Sequence, residues 1–272
     1  MCLLGVFDGT VGDNAAEFCH LKFQDALLGN RFFAESVAAS KSGPNGFLTP
    51  LAVQKMEAAM LEGYRACDDA LLKMCAESTP TIDYSACTSV TALVSGKMLT
   101  CAHLGDSKIV LGREMGSGVI QGKGLTTDHK PDMIDERRRI EKSGGSLAFL
   151  HGGKPFIRGG DFSERQLKGD RPMQLNYSRA FGGKDLKMFG LSAVPDVLQV
   201  QLTPADRLII LASDGLWDVS TADVAVRRAW ESLKAGRDPA LDLTDWALDQ
   251  HDLRGSVDNV TVIVMVLKPM AP

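Results

Sequence analysis

The sequence predicts an α+β fold built on antiparallel sheets. Helical patterns arrive in pairs, over 13–77 and again over 222–249, while strand patterns arrive in runs, over 90–112 and 197–212. Such grouping, without a regular βαβ alternation, marks helices and antiparallel sheets segregated into layers. With 272 residues, 44% hydrophobic and 24% charged, the chain is long and apolar enough to bury a core. No internal repeat or linker divides it, so a single domain over 1–272 is expected.

The elements follow in order. From Asp13 to Ala39, the residues Ala15, Phe18, Cys19, Phe23, Ala26 and Leu27 recur at a 3.6-residue period, predicting an amphipathic helix that Asn30 and the Ser/Gly/Pro stretch 40–46 end. A second helix opens at Thr49-Pro50, an N-cap followed by proline, with Val53, Met56, Met60, Tyr64, Cys67, Leu71 and Met74 on one face. Val90 to Val94, Met98 to Leu104 and Lys108 to Gly112, separated by short Gly turns, read as an antiparallel meander. A charged helix is expected over 131–142, stopped by Gly144-Gly145. Residues 151–173 form a Gly-rich, polar excursion, read either as a functional surface segment or as a disordered loop. Strands at 197–202 and 207–212, helices at 222–234 and 239–249, and a last strand at 260–267 complete the chain.

Composition narrows the function. Thirty Lys and Arg against 34 Asp and Glu give a formal charge of −4, with no global attraction to nucleic acid or anionic membrane. The longest apolar run, Val260 to Leu267, is far short of the roughly 20 residues that a bilayer requires, and Met1 to Phe7 lacks the flanks of a signal peptide. Six cysteines at 2, 19, 67, 75, 87 and 101 contain no CxxC pair, which fits a reducing, cytoplasmic or nuclear setting and no disulfide framework.

The chemistry concentrates where strands meet carboxylates. Gly5-Val6-Phe7 leads into Asp8-Gly9, Leu208 to Ser213 leads into Asp214-Gly215, Asp258-Asn259 opens the last strand, and Asp106 lies in Leu104-Gly105-Asp106-Ser107. Each alone reads as a turn. Together they are partly desolvated and repel one another unless a cation lies between them. All-oxygen ligation suits Mg²⁺ or Mn²⁺, and a pair of such ions makes water nucleophilic and clamps an in-line displacement at phosphorus. Metal-assisted phosphoester hydrolysis is the resulting reading.

At these residues the chain resembles the metal-dependent protein serine/threonine phosphatases of the type 2C (PPM) family. The motifs run in that family's order: Phe7-Asp8-Gly9, Ser85 to Ser89, Leu104 to Ser107, Leu125 to Pro131 with Glu136, Arg139 and Gly144-Gly145, Ser178 to Gly182, Leu211 to Asp218, and Gly255 to Val262. The resemblance implies a four-layer αββα sandwich, two central antiparallel sheets flanked by helix pairs. It also implies that Asp8 bridges two ions, that Gly9 lends its carbonyl, that Asp214 and Asp258 complete the cluster, and that Asp106 helps hold a third ion with Asp214. Residues 151–173 look like the family's variable flap. A phosphoprotein substrate, no nucleic-acid or membrane partner, and a monomer are expected.

Two departures bear on activity. The family's Asp-Gly-His-Gly-Gly stands here as Asp8-Gly9-Thr10-Val11-Gly12, so Thr10 occupies the position of the general acid and the catalytic acid is unassigned. A threonine hydroxyl does not release a proton at neutral pH as an imidazole does, and losing such a group costs about 10² to 10⁴ in rate. His129 and His151 are possible substitutes, read more naturally as structural or solvated. The family also carries an upstream strand with a Glu-Asp pair and a phosphate-gripping Arg; the sequence begins at the strand after it, and residues upstream of Met1 are expected. Lys154, Arg158, Arg165, Lys168 and Arg171 of the flap are the candidate phosphate grips in its place. Asp128-His129-Lys130-Pro131 reads as a charged turn that orients the next helix. The leading reading is a metal-dependent protein phosphatase; the alternatives are a catalytically impaired member that binds phosphoproteins or a regulatory partner, and a module that binds metal only to hold its fold.

Overall fold

A computed structural model describes residues 1–40, 49–77, 84–116 and 118–267. The end assigned to 40–46 therefore falls largely outside the described residues. One sheet is formed by β1 (Cys2–Thr10), β2 (Ala86–Ser95), β3 (Met98–Leu104) and β10 (Asp196–Gln201) in the order β1-β2-β3-β10, with β9 (Phe181–Gly182) pairing β2. The second has the order β12-β11-β4-β5, from β4 (Lys108–Glu114), β5 (Ile120–Gly124), β11 (Asp206–Ala212) and β12 (Val262–Val266). All their strand pairs are antiparallel.

The two-residue period of each strand divides its side chains between two cores. In β3, Leu99 and Cys101 face Ile109 and Leu111 of β4 and Ile209 and Leu211 of β11 across the gap between the sheets. Ala102 and Leu104 face the other way, onto α1 (Asn14–Leu28) and α3 (Pro50–Glu77), through Phe23, Leu27, Met60 and Tyr64. In β11, Leu208, Ile210 and Ala212 face α8 (Ala222–Lys234) and α9 (Pro239–Arg254) through Val226, Ala229, Leu243 and Ala247. Helices, sheet, sheet, helices is the αββα sandwich that the resemblance implied.

Several local expectations change. The helix read over 13–39 is two, α1 and α2 (Arg31–Ser40), because Asn30 turns its side chain back to accept from Phe33 N–H at 3.0 Å while donating to Leu27 O at 2.8 Å. Thr49 caps α3 as expected, accepting from Ala52 N–H at 3.1 Å. The meander is not one sheet: β2 and β3 form a hairpin, but β3 and β4 belong to different sheets, so the Gly105–Ser107 turn is a crossing between layers. The 203–206 turn crosses in the same way, since β10 pairs β3 and β11 pairs β4. The helix read from Pro131 is α4 (Ile134–Lys142), and the last strand is shorter than expected at both ends.

The 151–173 excursion is not a bare loop. With its flanks it folds as β6 (Ser146–Leu150), β7 (Lys154–Arg158), α5 (Phe162–Leu167) and β8 (Gln174–Leu175), a small sheet in the order β6-β7-β8. Ile157, Met173 and Leu175 give it a core shared with Tyr177, Ile140 and Leu191. Two further short helices, α6 (Lys184–Lys187) and α7 (Asp214–Trp217), follow in the chain. Among the described residues, no helix is long and apolar enough to cross a membrane.

Candidate active site

The carboxylates gather at one end of the two sheets, each carried by a different local device. Asp8 sits near the end of β1, opposite Thr88. Asp214 opens α7 directly after β11, with Trp217 Nε1–H donating to Ala212 O at 2.9 Å to close the turn. Gly215 is required there, because a Cβ would stand 2.2 Å from Asn259 O. That contact brings the 258–260 segment, and with it Asp258, against Asp214. His251 of α9 pins the junction by donating to Gly215 O at 2.7 Å while its Nδ1 faces Ser256 Oγ at 2.8 Å.

Asp106 arrives on the crossing between layers. Gly105 has φ +86°, and a Cβ there would lie 2.7 Å from the Thr88 methyl, so only glycine makes this turn. Its N–H donates to His129 Nδ1 at 3.1 Å and its carbonyl accepts from His129 N–H at 2.9 Å. The next residue, Lys130, places its ammonium on Asp106 Oδ2. The charged turn 128–131 thus belongs to the site: Asp106, Lys108, Asp128, Lys130, Asp214 and Lys154 line one cavity of about 160 Å³, walled by Pro155 and Trp217.

The electrostatics are those of an uncompensated acidic centre. Burial, with the charges of Asp106 and Asp258, pushes Asp8 up to about 6 against the pull of its hydrogen bond with Asp214. Burial and the charges of Asp106, Asp8 and Asp258 push Asp214 up to about 8. Two carboxyls that hydrogen-bond to each other share a proton between them. Asp106 is buried and also raised, and its Oδ1 has no hydrogen-bond partner. A buried carboxylate oxygen left in this state is costly, and a divalent cation supplies what it lacks. The all-oxygen donor set fits Mg²⁺ or Mn²⁺.

The four predicted ligands are not equally close. Asp8 and Asp214 touch, whereas Asp106 and Asp258 act on them through charge. Among the described residues, the group whose ligand atoms all lie within 4.8 Å is a different one: His103, His129 and Asp196. Its geometry does not suit a cation. The two imidazoles are stacked at 4.4 Å and 10°, so their in-plane lone pairs run side by side instead of converging. His103 donates through Nε2 to Thr127 O at 2.8 Å, and His129, accepting at Nδ1, gives its Nε2 hydrogen to Asp196 at 3.2 Å. Burial and the neighbouring His129 hold His103 down at about 4, hence neutral. Of the two histidines read as structural or solvated, His129 is held in this network and His151 sits at φ +46° in the β6–β7 turn.

Of the five flap cations, one lines the cavity. Lys154 is 3.9 Å from Asp218 and largely exposed. Arg158 is held by Gln174, Arg165 by Asp185 and Tyr84, and Lys168 by Glu164, while Arg171 is exposed. The sequence reading missed Lys130 and Tyr177. Tyr177, in the core under the flap, donates to Thr10 Oγ1 at 2.6 Å.

Comparison with known proteins places this geometry. The family model for Protein phosphatase 2C matches residues 2–260, nearly the whole chain. The chain belongs to the protein phosphatase 2C family. It is 32% identical over 271 residues to the probable protein phosphatase 2C 68 of Oryza sativa subsp. japonica, covering 97% of this chain and 67% of the relative. The crystal structure of a serine-threonine phosphatase 2C from Toxoplasma gondii matches with a TM-score of 0.90 and 43% identity, over 98% of this chain and 84% of that one. A sex-determining protein of C. elegans shares the fold at TM-score 0.71 and 23% identity, over 98% of this chain and 56% of that one. The chain spans between about half and two thirds of the curated protein phosphatase 2C relatives it matches.

Proposed function

We propose that this chain is a Mg²⁺- or Mn²⁺-dependent phosphatase that hydrolyses phosphoserine and phosphothreonine monoesters in proteins. The observation that carries the reading is the contact between the Asp8 and Asp214 carboxyls beside a buried Asp106 with an unpartnered oxygen. In this reading Asp8, the Gly9 carbonyl, Asp214 and Asp258 hold two ions, and Asp106 with Asp214 holds a third. When bound, such ions neutralise charge on the phosphoryl group and make water nucleophilic at neutral pH. The chain's own residues do the rest. Lys154, on the rim and loosely paired, receives the substrate phosphate. Pro155 and Trp217 wall the cavity on its flap and α7 sides. The Asp8 and Asp214 carboxyls would both have to be deprotonated to ligate, so loading should weaken as pH falls.

Thr10 sets the expected substrate profile. With no imidazole at this position, esters with a high-pKa leaving group are slowed more than an activated aryl phosphate. The test is Mn²⁺-dependent phosphate release from a phosphothreonine peptide, with Asp214→Asn as blank. Release that EDTA and Asp214→Asn both abolish supports the reading, and equal release by the wild type and the blank overturns it.

A further inference from the structure

The residue that stands where the family has its acid is not idle. We propose that Tyr177 and Thr10 form a two-hydroxyl chain in which Thr10 donates a hydrogen bond to the leaving-group oxygen of the phosphoester and Tyr177 fixes and polarises Thr10. The inference rests on the phosphatase reading above and assigns a leaving-group contact within it. Thr10 is the catalytic residue of the pair, and Tyr177 is a positioning residue.

Thr10 follows Asp8 by two positions in β1, so the two side chains lie on the same face of the strand, at its end and beside the carboxylate centre. Thr10 is half-exposed, opposite Ala86 in the ladder, whereas Tyr177 is 3% exposed and rises from the core below. Asn176, its chain neighbour, lines the active-site cavity.

Donor bookkeeping gives the direction. A tyrosine hydroxyl has one hydrogen, and Tyr177 gives it to Thr10 Oγ1 at 2.6 Å. Thr10 then holds one lone pair occupied and its own hydrogen free; among the described residues no protein acceptor takes it. A hydroxyl that accepts a short hydrogen bond is a better donor in turn, because chained hydrogen bonds polarise one another. The remaining hydrogen of Thr10 must point away from Tyr177 and therefore out of the core, on the face it shares with Asp8.

Tyr177 is itself held rigidly. Ser178 N–H donates to His129 O at 2.8 Å, and Leu175 is in register with Ile157 in the small sheet. Burial, with Asp106 and Asp8 nearby, raises the Tyr177 phenol well above its ordinary value, so it remains a neutral donor throughout the working range. The chain thus lends a hydrogen bond to the departing oxygen without a net proton transfer, and it adds no titration of its own. Val11, at φ +61° directly after Thr10, turns the strand into α1 and ends β1 at the hydroxyl that is needed.

The experiment compares Tyr177→Phe, Thr10→Val, the double variant and Thr10→Ser, loaded with Mn²⁺, on a phosphothreonine peptide and on p-nitrophenyl phosphate. Each of Tyr177→Phe and Thr10→Val is expected to lower peptide kcat by about tenfold, the worth of one good hydrogen bond, with KM little changed. The loss on the aryl phosphate should be clearly smaller, since its leaving group needs no donor. The double variant should lose no more than Thr10→Val alone, and Thr10→Ser should retain most of the activity. Equal losses on both substrates, or multiplied losses in the double variant, would overturn the proposal in favour of a structural role for Tyr177. Should Tyr177→Phe melt below the wild type, Thr10→Val at the half-exposed strand end carries the test. No activity above Asp214→Asn in the wild type, with either substrate, would instead refute the phosphatase reading itself.

Discussion

Two acidic clusters, each holding one buried carboxylate, Glu136 in the first and Asp106 in the second, lie close together in this molecule and reach opposite states. In one, Glu136 of α4 accepts from Arg139 at 2.7 and 2.9 Å, from Arg179 at 2.7 and 3.0 Å, and from Ser178 Oγ. Burial would raise its carboxyl, but these donors pull it down to about 2. Asp196 joins the same network through Arg179 and His129 and is lowered as well. In the other cluster, Lys130 on Asp106 is, among the described residues, the one ion pair made to Asp8, Asp106, Asp214 or Asp258, since Lys108 and Lys154 of the same cavity pair with Asp128 and Asp218; the two central carboxyls are raised to about 6 and about 8, and one oxygen of Asp106 has no partner. The first cluster is complete and braces the Ser178–Arg179 segment. The second has fewer paired cations than carboxylates, and that deficit is what motivates the proposal that it is the functional centre.

The largest expected effect breaks the second cluster chemically. Asp214→Asn, or EDTA on the wild type, should cut phosphopeptide turnover by about 10³-fold or more, the worth of several kcal/mol of charge stabilisation, as read in a phosphate-release assay. Breaking the first cluster should cost stability instead. Glu136→Gln leaves Arg139 and Arg179 facing a neutral group and should lower unfolding free energy by about 3–5 kcal/mol in a urea titration. Metal affinity per folded molecule should stay unchanged.

The pH dependence sharpens the contrast, because the two clusters have opposite signs. Folded-state values of about 6 and about 8, above the ordinary 3.8, mean that the folded metal-free protein binds protons that the unfolded chain has lost. Stability from these groups is present at low pH and is lost as pH rises through those values. Glu136, at about 2 against an ordinary 4.5, contributes stability that is present above 4.5 and lost as pH falls through 2. Melting of the EDTA-treated protein should therefore decline from about pH 4 to about pH 8 and level off above it, and saturating Mn²⁺ should remove that decline. The smallest effect concerns the strand end. Val11→Gly relieves a left-handed backbone at a β-branched residue and should stabilise by about 1 kcal/mol in the same urea titration.

Much of this was legible in the sequence because it rests on local pattern. The helix at 222–234, the helix read over 239–249 that in fact runs on to Arg254, the Thr49-Pro50 start of α3 and the strand ends carrying Asp8 and Asp214 follow from periodicity and capping. The layer crossings at 105–107 and 203–206 were not legible, because a Gly-Asp or Pro-Ala-Asp turn looks alike whether it closes a hairpin or passes between sheets. Lys130 escaped for a similar reason: its partner Asp106 is 24 residues away, and only the Gly105–His129 hydrogen bonds bring them together. Tyr177 lies 167 residues from Thr10, a separation that no periodicity can bridge. The order within the flap was hidden too, since Ile157 and Leu175 form a core with residues of other segments.

Thermal unfolding followed during a Mn²⁺ titration reads out whether the Asp8–Asp106–Asp214–Asp258 cluster takes divalent cations. Mn²⁺ should raise the melting temperature of the wild type and of Glu136→Gln alike, the latter from a lower baseline, and Asp214→Asn should show little or no rise. An equal rise in Asp214→Asn and the wild type, or none in either, would contradict cation binding at this cluster.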